Sequence, residues 1–165
     1  WLMLHDPIGV MDDLREGLNR LTQLIVGANT LVQGAIPQVL TPAAGSSDAV
    51  SLASDNTHYL QTLQDNARFT HERLSRVVGL RPVQPQGAMY VMVEYDPSVL
   101  RDIKDDADFT NKLLSEEAVF VLPGQCFGVA NFFRVVFSGP QDTLADAFDR
   151  IESFCKRHAG AARDQ

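Results

Sequence analysis

Hydrophobic positions in the first part of the chain follow strand spacing and then helix spacing. Residues 1–5, WLMLH, form a short apolar run that predicts a buried strand. From Met11 to Ile25, apolar residues recur every three or four positions, which predicts an amphipathic helix that ends at Gly27. A second, shorter helix is expected next, with Thr30 as its cap and Pro37 as a disturbance.

A boundary and a long helix are expected in the middle of the chain. Residues 42–54 are small and polar, so they predict a loop or hinge and the best internal boundary. Apolar residues from Leu60 to Val77 then keep helical spacing, and Gly79 follows as a suitable helix exit. This long helix is the clearest element in the sequence.

The second half of the chain predicts a small sheet with helices packed on it. Residues 87–96, GAMYVMVEYD, alternate as a strand does, after prolines that break the preceding helix pattern. Two more strands are expected at residues 118–123 and 132–138, and helices at 105–114 and 144–158. The order of helices and strands is typical of an α+β layer within the broad α/β class.

Composition and charge narrow the functional classes. The chain has 165 residues and a net charge of −7, which argues against a nucleic-acid surface because such a surface must attract phosphates. No apolar run approaches the roughly 20 residues that span a bilayer, so no membrane segment is expected. Cys126 and Cys155 form no CxxC pair, and a reducing, cytoplasmic setting fits best.

Arg134 is the candidate with the clearest chemistry, because it interrupts the apolar stretch NFFRVVFSGP. In a strand it would point away from Phe133 and Val135, and its permanent charge would need a partner. One interpretation is a carboxylate or phosphate receptor, since the planar guanidinium matches such groups with two parallel hydrogen bonds. The other is an edge-strand arginine that reaches water or pairs with an internal acid.

The stretch LPGQCFG, residues 122–128, has turn chemistry and could border a pocket or simply connect two strands. No local base would activate Cys126 within it, so this cysteine is interpreted as structural or pocket-lining. The sequence contains no GxSxG, HExxH or glycine-rich phosphate motif. A hydrolase or metal enzyme is therefore the least supported class.

Five stretches, taken in order, give the chain a family resemblance. WLMLHD, LVQGAIPQVL, GLRPVQPQGAMYVMVEYD, VFVLPGQCFGVANFFRVVFSGP and RIESFCKRH resemble the carboxyl-terminal portion of fold-type-I aminotransferases that depend on pyridoxal 5'-phosphate (PLP). The resemblance covers residues 1 to about 158, and the GAMY strand and the LPG, FG and FRVV tandem are its most specific parts. It implies that Arg134 binds the α-carboxylate of amino-acid and 2-oxo-acid substrates, with Cys126 and Phe127 in a loop near the substrate.

The resemblance also implies a domain organisation. Residues 1–50 would form the end of the large, PLP-binding domain, and residues 51–165 the small domain with the long helix at the join. The complete enzyme would be a homodimer. The family's Schiff-base lysine lies before the position that matches Trp1, and none of the three lysines here has the matching context. The chain by itself is therefore expected to be inactive in transamination.

Two further expectations concern the ligand. A pocket edged by Phe127 and Phe133 would accept an aromatic ring more readily than a second carboxylate. The alternative to an aminotransferase fragment is a stand-alone α+β module that binds a carboxylate through Arg134 without catalysis. The opening segment favours the fragment, because one strand and two helices without a sheet of their own are awkward for an independent module.

Overall fold

The computed structural model describes residues 4–24 and 27–160, in two compact units that comprise Trp1–Ala53 and Ser54–Gln165. The predicted opening strand falls mostly on residues 1–3, outside the described residues, and Leu4 and His5 do not belong to a strand. In the first unit, helix α1 spans Asp12–Leu24, as the apolar spacing predicted. The last residue of that predicted stripe, Ile25, also lies outside the described residues.

Helix α2 spans Thr30–Leu40 and differs from its prediction at both ends. Asn29 is the cap, because its side-chain oxygen accepts a hydrogen bond from the Leu31 amide at 2.9 Å, so the prediction of Thr30 was wrong by one residue. Pro37 lies inside the helix and does not end it. No residue of α2 is buried within the described structure.

Helix α3 spans Ser47–Leu74 and begins inside the predicted loop. The prediction of a loop over residues 42–54 was therefore wrong beyond residue 46. The Ser46 hydroxyl accepts a hydrogen bond from the Ala49 amide at 3.2 Å, and the small residues that follow enter the helix at little entropic cost. At the other end the helix stops before Val77, and Gly79 adopts a left-handed φ of 77°.

The second unit is built around a four-stranded antiparallel sheet with the order β1-β2-β4-β3. The strands are β1 (Leu80–Pro82), β2 (Tyr90–Tyr95), β3 (Leu122–Pro123) and β4 (Phe132–Val136). Strand β1 was missed because its proline reads as a breaker, but an edge strand tolerates proline. Strand β3 is shorter than the predicted 118–123, since Ala118 is the left-handed cap of the preceding helix.

Two helices cover one face of this sheet, α4 (Asp106–Glu117) and α5 (Gln141–Gly160). At the centre of the core, the Phe109 ring of α4 stacks on Phe133 at a centroid distance of 4.5 Å and on Tyr95 at 5.2 Å. The predicted apolar stripe of the last helix is confirmed, because its four members are all buried: Leu144, Phe148, Ile151 and Cys155. Burial raises the pKa of the Cys155 thiol to about 12, so it stays protonated. The α+β layer predicted from the element order is thus confirmed.

A polar cluster joins the ends of α4 and α5. Arg157 donates to Glu116 at 3.0 Å, and the Nε2 of His158 lies 3.2 Å from the same carboxylate. The Nδ1 of His158 lies 2.6 Å from Asp102. Partial burial alone would raise the pKa of Glu116, but the hydrogen bonds from Arg157 and His158 outweigh it, and the pKa is lowered.

The lowered pKa of Glu116 predicts a pH-dependent stability. Its contribution is present above the carboxyl's unfolded pKa and is lost as the pH falls through the folded pKa. Between about pH 7 and about pH 3, the free energy of unfolding should therefore fall more steeply for the wild type than for Glu116→Gln. Urea titrations at each pH measure this free energy. The exposed Glu72→Gln should keep the wild-type slope, and equal slopes for the wild type and Glu116→Gln would contradict the assignment.

A second prediction concerns Asn66, which is 3% exposed and ties α3 to the end of β4. Its Nδ2 donates to the carbonyls of Phe137 and Gly139, both at 2.9 Å. Asn66→Ala should lower the free energy of unfolding by about 1–3 kcal/mol, because two carbonyls lose their donor. In denaturant titrations the exposed Asn111→Ala should stay near the wild type, and a similar loss in both variants would refute this role.

Candidate functional site

Arg134 lies in β4, on the face of the sheet that α4 does not cover. Phe133 and Val135 are buried toward the core, whereas Arg134 is half-buried on the other side of the strand. This alternation is the one that the sequence predicted, and it follows from the two-residue period of a strand. The backbone of Arg134 is thus fixed to the core by the buried side chains of Phe133 and Val135 on either side of it.

Two aromatic rings surround the Arg134 guanidinium. Its Cζ lies 4.6 Å from the centroid of the Phe127 ring and 5.0 Å from that of Tyr90. The two rings are each slightly more than 40% exposed, at 42% and 43%. A cation over a ring face is attracted by the ring's quadrupole, and the rings also displace water from the guanidinium. The charge is therefore partly desolvated without being neutralised.

No internal acid neutralises Arg134 within the part of the chain that the structure describes. Glu94, which shares its face of the sheet, pairs with Arg81 at 3.8 Å, and Arg81 also pairs with Asp96 at 3.0 Å. The Nε of Arg134 is buried and has no hydrogen-bond partner. This buried Nε–H is therefore without an acceptor among the described residues, which is rare in native structures.

The turn Gly124–Phe127, a single 3₁₀ turn after β3, brings Phe127 to Arg134. The sequence predicted turn chemistry here, and the left-handed Gly128 closes the turn with a φ of 71°. Cys126 lies in the same turn as a free, exposed thiol. Of the two loop residues singled out beside Arg134, the structure therefore brings Phe127 into contact with it and leaves Cys126 facing solvent.

Two residues that sequence analysis missed hold this turn in place. Asp106, at 5% exposure, accepts a hydrogen bond from the Gln125 amide at 2.6 Å. Gly124 is packed so closely that a Cβ there would lie 2.2 Å from the Val129 carbonyl oxygen and 2.8 Å from Phe132. In the sequence, Asp106 indicates the start of a helix and Gly124 indicates a turn. Neither pattern shows that these two parts of the chain are in contact.

The predicted role of Phe133 beside the ligand was wrong. Phe133 is completely buried and stacks on Phe109, across the strand from Arg134. Tyr90 instead supplies the second ring at Arg134. The register explains this, because Met92 is opposite Arg134 and Tyr90, two residues away in β2, occupies the same face as a diagonal neighbour.

A cavity of about 530 Å³ lies elsewhere in the second unit, between α3 and the segment 85–88. It is lined by apolar side chains and by Gln64 and Gln86, and by no charged residue. Ala88 in its wall has a left-handed φ of 60°. Because the cavity offers no charge and Arg134 does not line it, we place the candidate site at Arg134 and not at this larger cavity.

The described lysines do not fit a PLP anchor beside Arg134. Lys112 pairs with Asp108 at 2.9 Å, and Lys156 pairs with Glu152 at 2.6 Å. These lysines belong to α4 and α5, across the sheet from Arg134, and the third, Lys104, precedes α4. Formation of a Schiff base with PLP requires a free lysine amine facing the substrate. The amines of Lys112 and Lys156 are thus engaged in ion pairs on helices away from Arg134.

A comparison with protein families identifies the class to which this chain belongs. The family "Aminotransferase class I and II" matches residues 8–151, which is most of the chain. The chain therefore belongs to the class I and II aminotransferases. The resemblance stated from the sequence motifs is confirmed.

Within that class, the chain is similar to several tyrosine aminotransferases. The chain is 41% identical over 160 residues to tyrosine aminotransferase of Dictyostelium discoideum, covering 96% of this chain and 37% of that protein. It is 36% identical over 159 residues to the human tyrosine aminotransferase, covering 96% of this chain and 33% of that protein. The chain thus spans about a third of the length of the relatives it matches.

Solved structures agree with this similarity. The tyrosine aminotransferase of Leishmania infantum superposes with a TM-score of 0.66 at 37% identity, over 93% of this chain and 36% of that one. The alanine aminotransferase of Pyrococcus furiosus gives a TM-score of 0.65 at 28% identity, over 92% and 36%. The helices and the small antiparallel sheet described above are therefore those of an aminotransferase.

The close packing of Gly124 yields a prediction for the site. Gly124→Ala should displace the turn and destabilise the protein by about 1–3 kcal/mol, because backbone atoms of residues 129 and 132 occupy the space of the new methyl group. Gly139→Ala is a matched control, since a Cβ there meets nothing within 4 Å. Thermal unfolding of both variants checks this. Equal unfolding midpoints would contradict the prediction, because they would show that the turn accommodates the methyl group without loss of stability.

Proposed function

We propose that this chain is the carboxyl-terminal part of a PLP-dependent aminotransferase and that Arg134 binds the α-carboxylate of its amino-acid and 2-oxo-acid substrates. The observation that carries the proposal is the half-buried guanidinium that lies against two rings and has no carboxylate partner among the described residues. The membership of the chain in the aminotransferase family supports it.

The chemistry of the guanidinium suits this role. Its charge is permanent, and its planar set of N–H donors matches a carboxylate with two parallel hydrogen bonds. Because Phe127 and Tyr90 exclude part of the water around Arg134, an incoming carboxylate displaces less solvent and experiences less dielectric screening. The same geometry disfavours a neutral ligand, which would leave the charge without compensation.

The complete protein would transfer an amino group between an aromatic amino acid, such as tyrosine, and a 2-oxo acid. The tyrosine aminotransferases among the relatives support this substrate class. The exposed rings of Phe127 and Tyr90 support it too, because they offer an apolar surface beside the carboxylate position. Cys126, in the same turn, would line that position.

PLP would supply the amino-transfer chemistry, held by residues beyond those of this chain. This chain would provide residues 1–50 as the end of the large domain and residues 51–165 as the small domain, in a homodimeric, cytoplasmic enzyme of amino-acid metabolism. The three lysines have other settings, so the chain alone would not catalyse transamination. Transamination by the isolated chain with added PLP, above the rate of free PLP, would overturn this part of the proposal.

Carboxylate recognition can be tested on the chain itself, because the second unit contains its own buried core. We expect 3-phenylpropionate to perturb NMR signals of the turn Gly124–Phe127 more strongly than its neutral amide does. Arg134→Met should weaken binding of the acid by about tenfold or more and leave the amide nearly unaffected, because only the acid uses the charge.

Arg76→Met is the matched control, since Arg76 is an exposed arginine beyond the end of α3. It should retain wild-type affinity for both compounds. Equal affinity of wild type and Arg134→Met for the acid would refute the proposed role of Arg134. A stand-alone carboxylate-binding module would give the same binding results, so the two functions are separated by transamination in a polypeptide that also carries the cofactor-binding domain.

A further inference from the structure

Tyr90 contacts the Arg134 guanidinium from a strand, whereas Phe127 contacts it from a turn. We propose that Tyr90 is a positioning residue, whose ring holds the Arg134 guanidinium in the orientation that receives the substrate carboxylate. This inference rests on the proposed function. It adds a role for Tyr90, to which the sequence motifs assigned none, and it assigns that role to the ring.

The position of Tyr90 is fixed by the β2–β4 ladder. Tyr90 is opposite Val136, and Met92 is opposite Arg134, so Tyr90 and Arg134 are diagonal neighbours on one face of the sheet. The ladder continues past this pair, since the Phe137 amide donates to the Met89 carbonyl at 2.8 Å. Diagonal neighbours in a sheet are within reach of aromatic and long side chains. The backbone at Tyr90 is therefore fixed by ladder hydrogen bonds before and after this residue.

Arg134 needs such a contact because an arginine side chain is long and has several rotatable bonds. A flexible arginine loses rotamer entropy when it is immobilised by a ligand, and prior ordering reduces that loss. Ion pairs hold several other described arginines of the second unit, for example Arg73 with Asp149 and Arg157 with Glu116. For Arg134 the described contacts are the two rings.

A ring can order the guanidinium without competing with the substrate. An internal carboxylate would occupy the N–H groups that the substrate must use, whereas a ring face supplies attraction without an acceptor oxygen. The hydroxyl of Tyr90 is not required for this, because the contact is between the ring and the cation. The structure therefore predicts that phenylalanine can replace Tyr90 and that an aliphatic residue cannot.

The first measurement requires no ligand. In NMR spectra of the 165-residue chain, the side-chain Nε–H and Cδ proton signals of Arg134, assigned by their loss in Arg134→Met, report the ring contact and the order of the guanidinium. Tyr90→Leu should move these signals toward the values of a free arginine and increase their mobility. Tyr90→Phe should leave them near the wild type, and so should Tyr59→Leu, the matched control on α3 with a ring of similar exposure.

The second measurement is the affinity for 3-phenylpropionate. Tyr90→Leu should weaken this affinity by about two- to fivefold, the range expected for loss of a partly exposed cation–π contact. Tyr90→Phe should keep the wild-type affinity. If leucine disturbs β2, as judged by the loss of dispersed amide signals, Tyr90→Val provides the same comparison with a strand-forming side chain.

The outcomes separate this inference from the proposed function. Unchanged Arg134 signals and unchanged affinity in Tyr90→Leu would overturn the positioning role, and so would equal losses in Tyr90→Leu and Tyr90→Phe. If Arg134→Met leaves acid binding intact, the proposed function fails by itself. The ligand-free signals then still decide whether Tyr90 orders the guanidinium: their change in Tyr90→Leu alone supports it, and their constancy overturns it.

Discussion

The antiparallel pairing of β2 with β4 is the constraint on which the rest of the second unit depends. It gives β4 one face for the core, where Phe133 stacks on Phe109, and one face for Arg134. The same register brings Tyr90 to the guanidinium. A shift of the strand register by one residue would exchange the two faces of β4, so that the Arg134 charge would be buried and the Phe133 ring exposed. Stability of the core and placement of the candidate site are thus consequences of a single register.

The part of the site that lies outside the sheet is held by the helical layer. Asp106 begins α4, whose Phe109 is central to the core, and its carboxylate accepts from the Gln125 amide in the turn. Gly124 allows that turn to approach the backbone of residues 129 and 132. A loop supported in this way can present Phe127 to a ligand without wide motion, which favours a preformed site.

Arg134 has no internal acid among the described residues, whereas Arg73, Arg81 and Arg157 of the same unit form ion pairs. Rings in place of acids keep the Arg134 charge available. The chain spans about a third of the length of the relatives it matches.

The sequence by itself determined the helical stripe of α5, the alternation of β4 and the family, because periodicity and short motifs are local properties of the chain. Local patterns gave wrong predictions where contacts with distant segments decide the structure. The edge strand β1 was not predicted because it contains a proline, and the start of α3 was predicted as a loop because its residues are small and polar. At the site, the sequence indicated Phe133 as the second ring, but Phe133 packs on Phe109 in the core and Tyr90 contacts Arg134 instead. Only the tertiary structure could choose the second ring, because Tyr90 reaches Arg134 through a register between distant segments that no local pattern encodes.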